Sequence, residues 1–321
     1  MNHFVNITAD FIKHLTFEDY STKDMSLKQK LKERPALYNL ILSVLNSVDY
    51  FNIRFRMLFP KYQITENWKK RSNLVRESED NQRITHTADA GQIKHDHQVM
   101  HNGLKISLAS YYDYGNTVLI RDNRGVHEPQ EEFAFQEVLK QMPEGSSMLE
   151  LGSFWAFYSM WFAHEVKGAR CIMVEPDPHK MNFGKLNFKL NGLKGHFEPG
   201  YIDKDTDLKP RIPVLSVDFL IKKHNIDFLH VLHSDIQGFE LKMLKGAATA
   251  LKEKKIGFVF ISTHSNELHE QCSKELTDNG YEIVCSANLD ESYSWDGLLV
   301  AKKKGFTNLE VLNISKRTIR K

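Results

Sequence analysis

Three residues, Glu150, Gly152 and Glu175, have the types and spacing to hold a polar molecule that carries a ribose. A carboxylate at a strand end accepts hydrogen bonds from both ribose hydroxyls, and a glycine after the preceding strand lets the backbone turn tightly beneath the same molecule. Glu175 follows Gly152 by about two dozen residues, close to the roughly 20-residue interval that a strand–helix–strand unit imposes. Glu150 is placed to receive an ammonium group. The elements needed to set these groups side by side lie in Ser147–Asp177, SMLELGSFWAFYSMWFAHEVKGARCIMVEPD. Met148–Leu151 is a short apolar strand, Tyr158–Val166 has the length of a helix, and Cys171–Val174 is a second buried strand ending at Glu175-Pro176-Asp177-Pro178.

The turn Gly152-Ser153-Phe154-Trp155-Ala156 lacks the repeated glycines that let a backbone approach a pyrophosphate. Phe154 and Trp155 suit a cofactor without one. S-adenosylmethionine (SAM) meets the description, with Glu175 on its ribose, Gly152 and Ser153 in the loop and Glu150 at its amino-acid tail. The competing reading is an α/β domain whose strand ends are acidic for structural reasons alone.

Composition narrows the classes. With 321 residues the chain can bury a large core. Its 43 Lys+Arg against 41 Asp+Glu give a net charge of +2, so no global field draws it to nucleic acid. Cys171, Cys272 and Cys285 lack metal-ligand spacing and read as reduced core residues of a cytoplasmic protein. No apolar run is long enough to span a bilayer, and MNHFVNITADFIKH lacks the apolar core of a secretory signal.

The spacing predicts a helical extension over residues 1–90, a β-rich lead-in over 91–130, an α/β domain over 131–304 and a basic tail over 305–321. In the extension, Leu37, Leu40, Ile41, Val44 and Leu45 repeat at helical spacing after Pro35. Tyr50–Pro60 suits a membrane-surface helix, or a helix packed on the main domain or a partner subunit; the sparsity of basic residues before Arg54 favours the second. Lys69-Lys70-Arg71 reads as a solvated face and Arg76–Gln92 as a polar linker. Leu104, Ile106 and Leu108 alternate as in a strand, Thr117–Ile120 is a second strand candidate, and Gly115-Asn116 is turn material between them. Tyr111, Tyr112 and Tyr114 read as ordinary packing. His95, His97 and His101 could hold a metal, but an exposed polar linker explains them more simply. An amphipathic helix is expected over Glu131–Gln141, with Phe133, Val138 and Leu139 on its apolar side.

Beyond Val174, strands are expected at Gly195–Phe197, Phe228–Leu232, Ile256–Ile261, Tyr281–Cys285 and Gly297–Ala301, with helices between most of them. Alternation of this kind makes a parallel sheet covered on both faces. The last two strands have no helix between them and must be antiparallel neighbours. The expected fold is α/β and doubly wound, a mostly parallel seven-stranded sheet closed by a C-terminal antiparallel hairpin, like the class I SAM methyltransferases. Position after the third strand assigns Gly200, Tyr201 and Ile202 to the adenine. Lys302–Lys304, Lys316, Arg317, Arg320 and Lys321 read as a solvated terminus.

Over roughly Glu128–Lys303 the chain resembles the FkbM-type SAM-dependent methyltransferases. The resemblance is carried by Glu128-Pro129, by ELGSFWAFYS at Glu150–Ser159, by VEPDP at Val174–Pro178 and above all by HSDIQGFELKMLKGA at His233–Ala247. Asp235, Gly238, Glu240, Leu244, Lys245 and Gly246 fit the family pattern; His233, Gln237 and Ala156 stand where the family usually has Lys, Glu and Gly. The resemblance implies methyl transfer from SAM to a hydroxyl, with Glu128 as a second contact to the methionine end; a surface helix cap is the other reading of Glu128. Its favoured acceptor is a sugar hydroxyl on a cell-surface glycan or glycolipid precursor. A small secondary metabolite is the rival acceptor. A non-catalytic SAM- or nucleotide-binding module whose first 90 residues dock a partner, or assemble an oligomer, is the rival of another class.

In-line displacement at a sulfonium requires an aligned nucleophile and a group to take its proton. Asp235 and His264 end successive strands on the rim where an acceptor should sit. His264 is expected to be the general base, with Asp235 orienting it, holding the SAM tail or serving as the base itself. The bland readings are Asp235 as a helix cap, His264 as a core or loop histidine and His233 as packing. A divalent metal on Asp235, His264 and His233 is a further reading, without a tight spacing signature.

Overall fold

Ile256–Thr263 is buried at all eight positions and Ser147–Leu151 at all five. Strands without a polar face must be covered on both sides, and they are. The computed structural model describes residues 64–111 and 114–318, with the isolated positions 44, 50, 53 and 54. Those isolated positions are helical; the rest of the expected helices over Leu37–Leu45 and Tyr50–Pro60, and Tyr112, lie outside the described residues. The chain divides into two compact units, Met1–Tyr62 and Gln63–Lys321.

Three short strands, β1 (Ile93–Lys94), β2 (His97–Val99) and β3 (Lys105–Ser107), form an antiparallel sheet. The main sheet contains β4 (Ser147–Leu151), β5 (Arg170–Val174), β6 (His196–Glu198), β9 (Leu229–Ser234), β10 (Ile256–Thr263), β11 (Tyr281–Ala287) and β12 (Gly297–Lys303). Its order is β11-β12-β10-β9-β4-β5-β6. The five strands from β10 to β6 run parallel, and β12 lies antiparallel between β10 and β11. This is the expected doubly wound sheet with its hairpin. A separate parallel pair joins β7 (Tyr201–Ile202) to β8 (Val214–Leu215).

The helices follow from the sheet's two apolar faces. Met148, Val231, Phe258 and Phe260 point to one face, under α3 (Tyr114–Asp122), α4 (Pro129–Leu139) and α5 (Phe157–Glu165). Their neighbours Leu149, Leu232, Val259 and Ile261 point to the other. There they meet α7 (Val217–Lys223), α8 (Glu240–Lys245), α9 (Ala248–Lys252) and α10 (Asn266–Asp278), while α6 (Pro178–Leu190) links β5 to β6. The strand period of two thus divides one sheet between two cores. No helix among the described residues is long and apolar enough to cross a membrane.

Several local expectations are overturned. Thr117–Ile120 belongs to α3, not to a strand, and Gly115 is no turn: a Cβ there would strike the Trp68 ring at 2.3 Å. Seven of the nine residues of α3 are buried, so the segment shows no polar stripe from which a helical period could be read. Arg76–Gln92 is not a linker. It ends α1 (Glu66–Glu77) and forms α2 (Glu79–Arg83). Arg71 is buried rather than solvated. His101 is no linker residue either; it is buried against Trp161, 3.1 Å from Glu132.

The C-terminal segment is likewise not a free basic tail. Buried Asp80 accepts hydrogen bonds from the Ser315 N–H at 2.8 Å and the Ser315 hydroxyl at 2.7 Å, and pairs with Arg83. Gln130 donates to the Ser315 carbonyl at 2.6 Å. Replacing Asp80 by alanine orphans those donors and is expected to cost about 1–3 kcal/mol, visible as a lower urea midpoint with an unchanged slope.

Candidate active site

The loop after β4 is built on one close approach. Gly152 has φ +73°, and a Cβ on it would lie 1.9 Å from the Asp235 carbonyl oxygen. The Gly152 and Ser153 N–H groups both donate to the Val174 carbonyl, at 2.9 and 3.0 Å. Phe154 and Ala156 also adopt positive φ, 43° and 59°. The loop is held by side chains instead of by more glycines: Trp155 stacks on Tyr111 at 4.2 Å and on Phe157 at 5.1 Å.

Glu175, just past the end of β5, is buried beside this loop. Its carboxylate accepts from the Phe154 N–H at 3.2 Å and the Asp177 N–H at 2.8 Å. Burial raises its pKa, against those N–H groups and Lys180. Beyond the third parallel strand, half-exposed Tyr201 has its phenol pKa raised by burial and then by the charges of Asp177 and Glu175. The ring therefore borders the same acidic corner. Ile202 is buried, and Gly200 is a close contact, since a Cβ there would meet Leu215 at 2.5 Å.

Glu150 is buried under the start of α5 and accepts from the Ser159 N–H at 3.1 Å. Ser153 is buried as well. Burial raises the Glu150 pKa to about 7, opposed by His233 and Ser159. The folded chain therefore keeps a proton that the unfolded chain has already lost above its ordinary value near 4.5. Stability from this group falls as pH rises from about 4.5 to about 7 and is level above that. Glu150→Gln should flatten the slope by about 3 kcal/mol, measured as the urea stability of ligand-free protein at pH 5 and pH 8.

The second half of the site surrounds His264. Its Nδ1 lies 2.7 Å from Glu240 Oε1, and its Nε2 lies 3.4 Å from Asp235 Oδ1 and 3.4 Å from Asp296 Oδ1. Glu240, fully buried, is itself fixed by the Gly238 N–H at 3.0 Å. Burial works against a charge on His264, yet Asp235 and Glu240, then Asp296, push its pKa up to about 10. The same crowding, burial first and the Asp235 charge second, lifts Asp296 to about 7. Its carboxylate neighbours therefore favour the charged imidazole, which weighs against His264 as a resident general base. Asp235 is not a helix cap: α8 begins at Glu240 with no side-chain cap, and Asp235 accepts from Gln237 at 3.2 Å.

Glu128 stands at the other side. It accepts from Tyr158 at 3.1 Å and from Ser294 at 3.4 Å, and it lines a small cavity with Glu131, Asp296 and Leu298. Burial opposes its ionisation, but His127 and Arg71 hold its pKa down at about 2. Arg71 donates to the His127 carbonyl at 2.6 Å, the Tyr293 carbonyl at 2.6 Å and the Ser294 hydroxyl at 3.2 Å. His233 is buried and sits 2.6 Å from Glu131, so it serves the core, apart from the Asp235 cluster.

Residues 195–283 match the Methyltransferase FkbM domain. The matched segment contains Asp235, Gly238, Glu240 and His264, and it supports a SAM-dependent methyltransferase. No curated protein matches the chain. Among solved structures, the chain is similar to precorrin-6y C5,15-methyltransferase from Geobacter metallireducens, at 11% identity and a TM-score of 0.39, over 56% of this chain and 90% of that one. It is also similar to M. capricolum TrmK in complex with S-adenosyl-homocysteine (SAH), at 13% identity and a TM-score of 0.38, over 54% and 68%. A TehB-like SAM-dependent methyltransferase from Corynebacterium glutamicum matches at 13% and 0.35, over 53% and 86%. Likeness at this level adds nothing to the fold already visible in the strand order.

Two residues near this cluster carry no signal in the sequence. Asp296 lies outside the matched segment, immediately before β12, and reaches His264 only because the hairpin inserts β12 beside β10. Arg71 comes from α1, far from the motif, and its Lys69-Lys70-Arg71 setting resembles a surface run. Glu240 did carry a signal, its place five residues after Asp235 in the motif, but not its role as the anchor of His264.

Proposed function

We propose that this chain is a SAM-dependent O-methyltransferase acting in the cytoplasm on a sugar hydroxyl of a cell-surface glycan or glycolipid precursor. The observation that carries the reading is the contact between the two halves of the site: the Gly152 turn packs directly on the Asp235 backbone. A donor held by Gly152, Ser153 and Glu175 therefore abuts the carboxylate that faces the acceptor. Glu150 and Glu128 border its amino-acid tail, and Tyr201 its adenine. SAM supplies the electrophilic methyl when bound. Asp235 orients the acceptor hydroxyl and takes its proton as the oxygen–carbon bond forms and the methyl–sulfur bond breaks, while His264, tied to Glu240, stands beside Asp235 and Asp296.

Support for a sugar comes from the rim. Phe239 and Trp295 are large exposed aromatics next to Gly238 and Asp296 respectively. Trp295 is braced by the Trp68 ring at 5.2 Å and by the Arg71 guanidinium at 5.8 Å. Aromatic faces with one wet side suit the apolar C–H face of a sugar whose hydroxyls turn to carboxylates. Mass spectrometry of glycans and glycolipid precursors from cells with and without the protein tests this. A gain of one methylene on a sugar oxygen is expected; methyl groups found only on nitrogen or carbon would refute it.

A further inference from the structure

The proposed acceptor rim contains one imidazole nitrogen and two carboxylates close enough to share an ion. His264 Nε2 is 3.4 Å from both Asp235 Oδ1 and Asp296 Oδ1, and all three atoms lie within 4.8 Å of one another. Hydrogen bonds from nitrogen to oxygen are roughly 2.7–3.2 Å long. By contrast, donors bound about 2.1 Å from a tetrahedral cation stand ~3.4 Å apart. His264 Nε2 is buried with no hydrogen-bond partner, so it points into the gap unsatisfied. Its other nitrogen is tied at 2.7 Å to Glu240, a carboxylate with no exposure to solvent. A buried carboxylate on the far nitrogen is how proteins orient a histidine ligand and raise its basicity. Three carboxylates thus surround one imidazole.

We infer that Asp235, His264 and Asp296 form a binding site for a divalent transition-metal cation, with a fourth position open to the acceptor oxygen. Donors of one imidazole nitrogen and two carboxylates suit Mn²⁺ or Zn²⁺. His233, considered as a ligand from sequence, is excluded by its bond to Glu131, and Asp296 takes its place. The inference rests on the acceptor reading above: a cation here would lower the pKa of the bound hydroxyl, and Asp235 would hold the cation while its second oxygen remains for the proton.

A second trio, His196, Glu198 and His224, is also close enough to share an ion. There Lys223 Nζ already sits 2.5 Å from Glu198, and the His196 side chain is 57% exposed. A lysine ammonium on the only carboxylate competes with any metal.

The test is titration of the metal-free full chain with Mn²⁺, reading free Mn²⁺ by electron paramagnetic resonance, with no SAM or acceptor present. We expect one Mn²⁺ per chain, at least tenfold weaker binding in Asp296→Asn and in His264→Ala, no change in His224→Ala, and displacement by Zn²⁺. SAH titrations on the same variants should change less than twofold, which shows that they are folded. Absence of Mn²⁺ binding in the parent protein, binding unmoved by Asp296→Asn and His264→Ala, or binding lost in His224→Ala would each overturn the site. Because the readout involves neither SAM nor methyl transfer, its failure would leave the methyltransferase reading standing.

Discussion

Asp235→Ala is expected to lower kcat for methyl transfer by about 10²–10⁴-fold, the usual worth of a group that moves a proton in the transition state. SAH affinity should stay within twofold of the parent. The separation of effects follows from the geometry. The Asp235 backbone supports the cofactor loop through its carbonyl, which packs on Gly152 and survives the substitution. Its side chain points the other way, toward His264 and Gln237. Stopped-time assays with methyl-labelled SAM, paired with calorimetry on the same samples, read the two quantities separately. If SAH affinity collapsed and kcat at saturating SAM did not, Asp235 would belong to the cofactor.

Gly152→Ala should act on the opposite half of the site. At φ +73° an alanine pays the left-handed penalty, roughly 1 kcal/mol or more. Its methyl would also fall 1.9 Å from the Asp235 carbonyl oxygen, a backbone atom that cannot swing aside. The loop must move, and with it the N–H groups that Val174 and Glu175 hold in place. SAH binding is expected to weaken at least about 100-fold, near 2.7 kcal/mol, with a lower urea midpoint. Binding within twofold of the parent would show that the cofactor does not rest on this turn.

How much of this was legible in the sequence depended on the distance over which each feature is built. Gly152 and Glu175 belong to a single strand–helix–strand unit, whose geometry fixes their spacing locally, so both were identifiable. Asp235 and His264 were identifiable as neighbours because each follows a strand end on the same rim, and they stand 3.4 Å apart. Asp296 and Arg71 were not, since they arrive through the β12 insertion and through α1, with no spacing that links them to the motif. Glu131 and Glu132 mislead in a different way. On a helix that reads as amphipathic they belong to the polar face, yet both are buried, Glu131 against His233 and Glu132 against His101 and His127. The electrostatic setting of His264 was equally hidden. A lone histidine at a strand end looks like a base near neutrality, whereas the assembled ring of Asp235, Glu240 and Asp296 favours its charged form.

Isothermal titration of SAH into the purified chain reaches the central claim most directly. One site per chain with micromolar or tighter affinity is predicted, weakened at least tenfold by Glu175→Ala through loss of the ribose contacts. No heat with either SAH or SAM, or binding indifferent to Glu175, would contradict a cofactor cleft between the Gly152 turn and the end of β5.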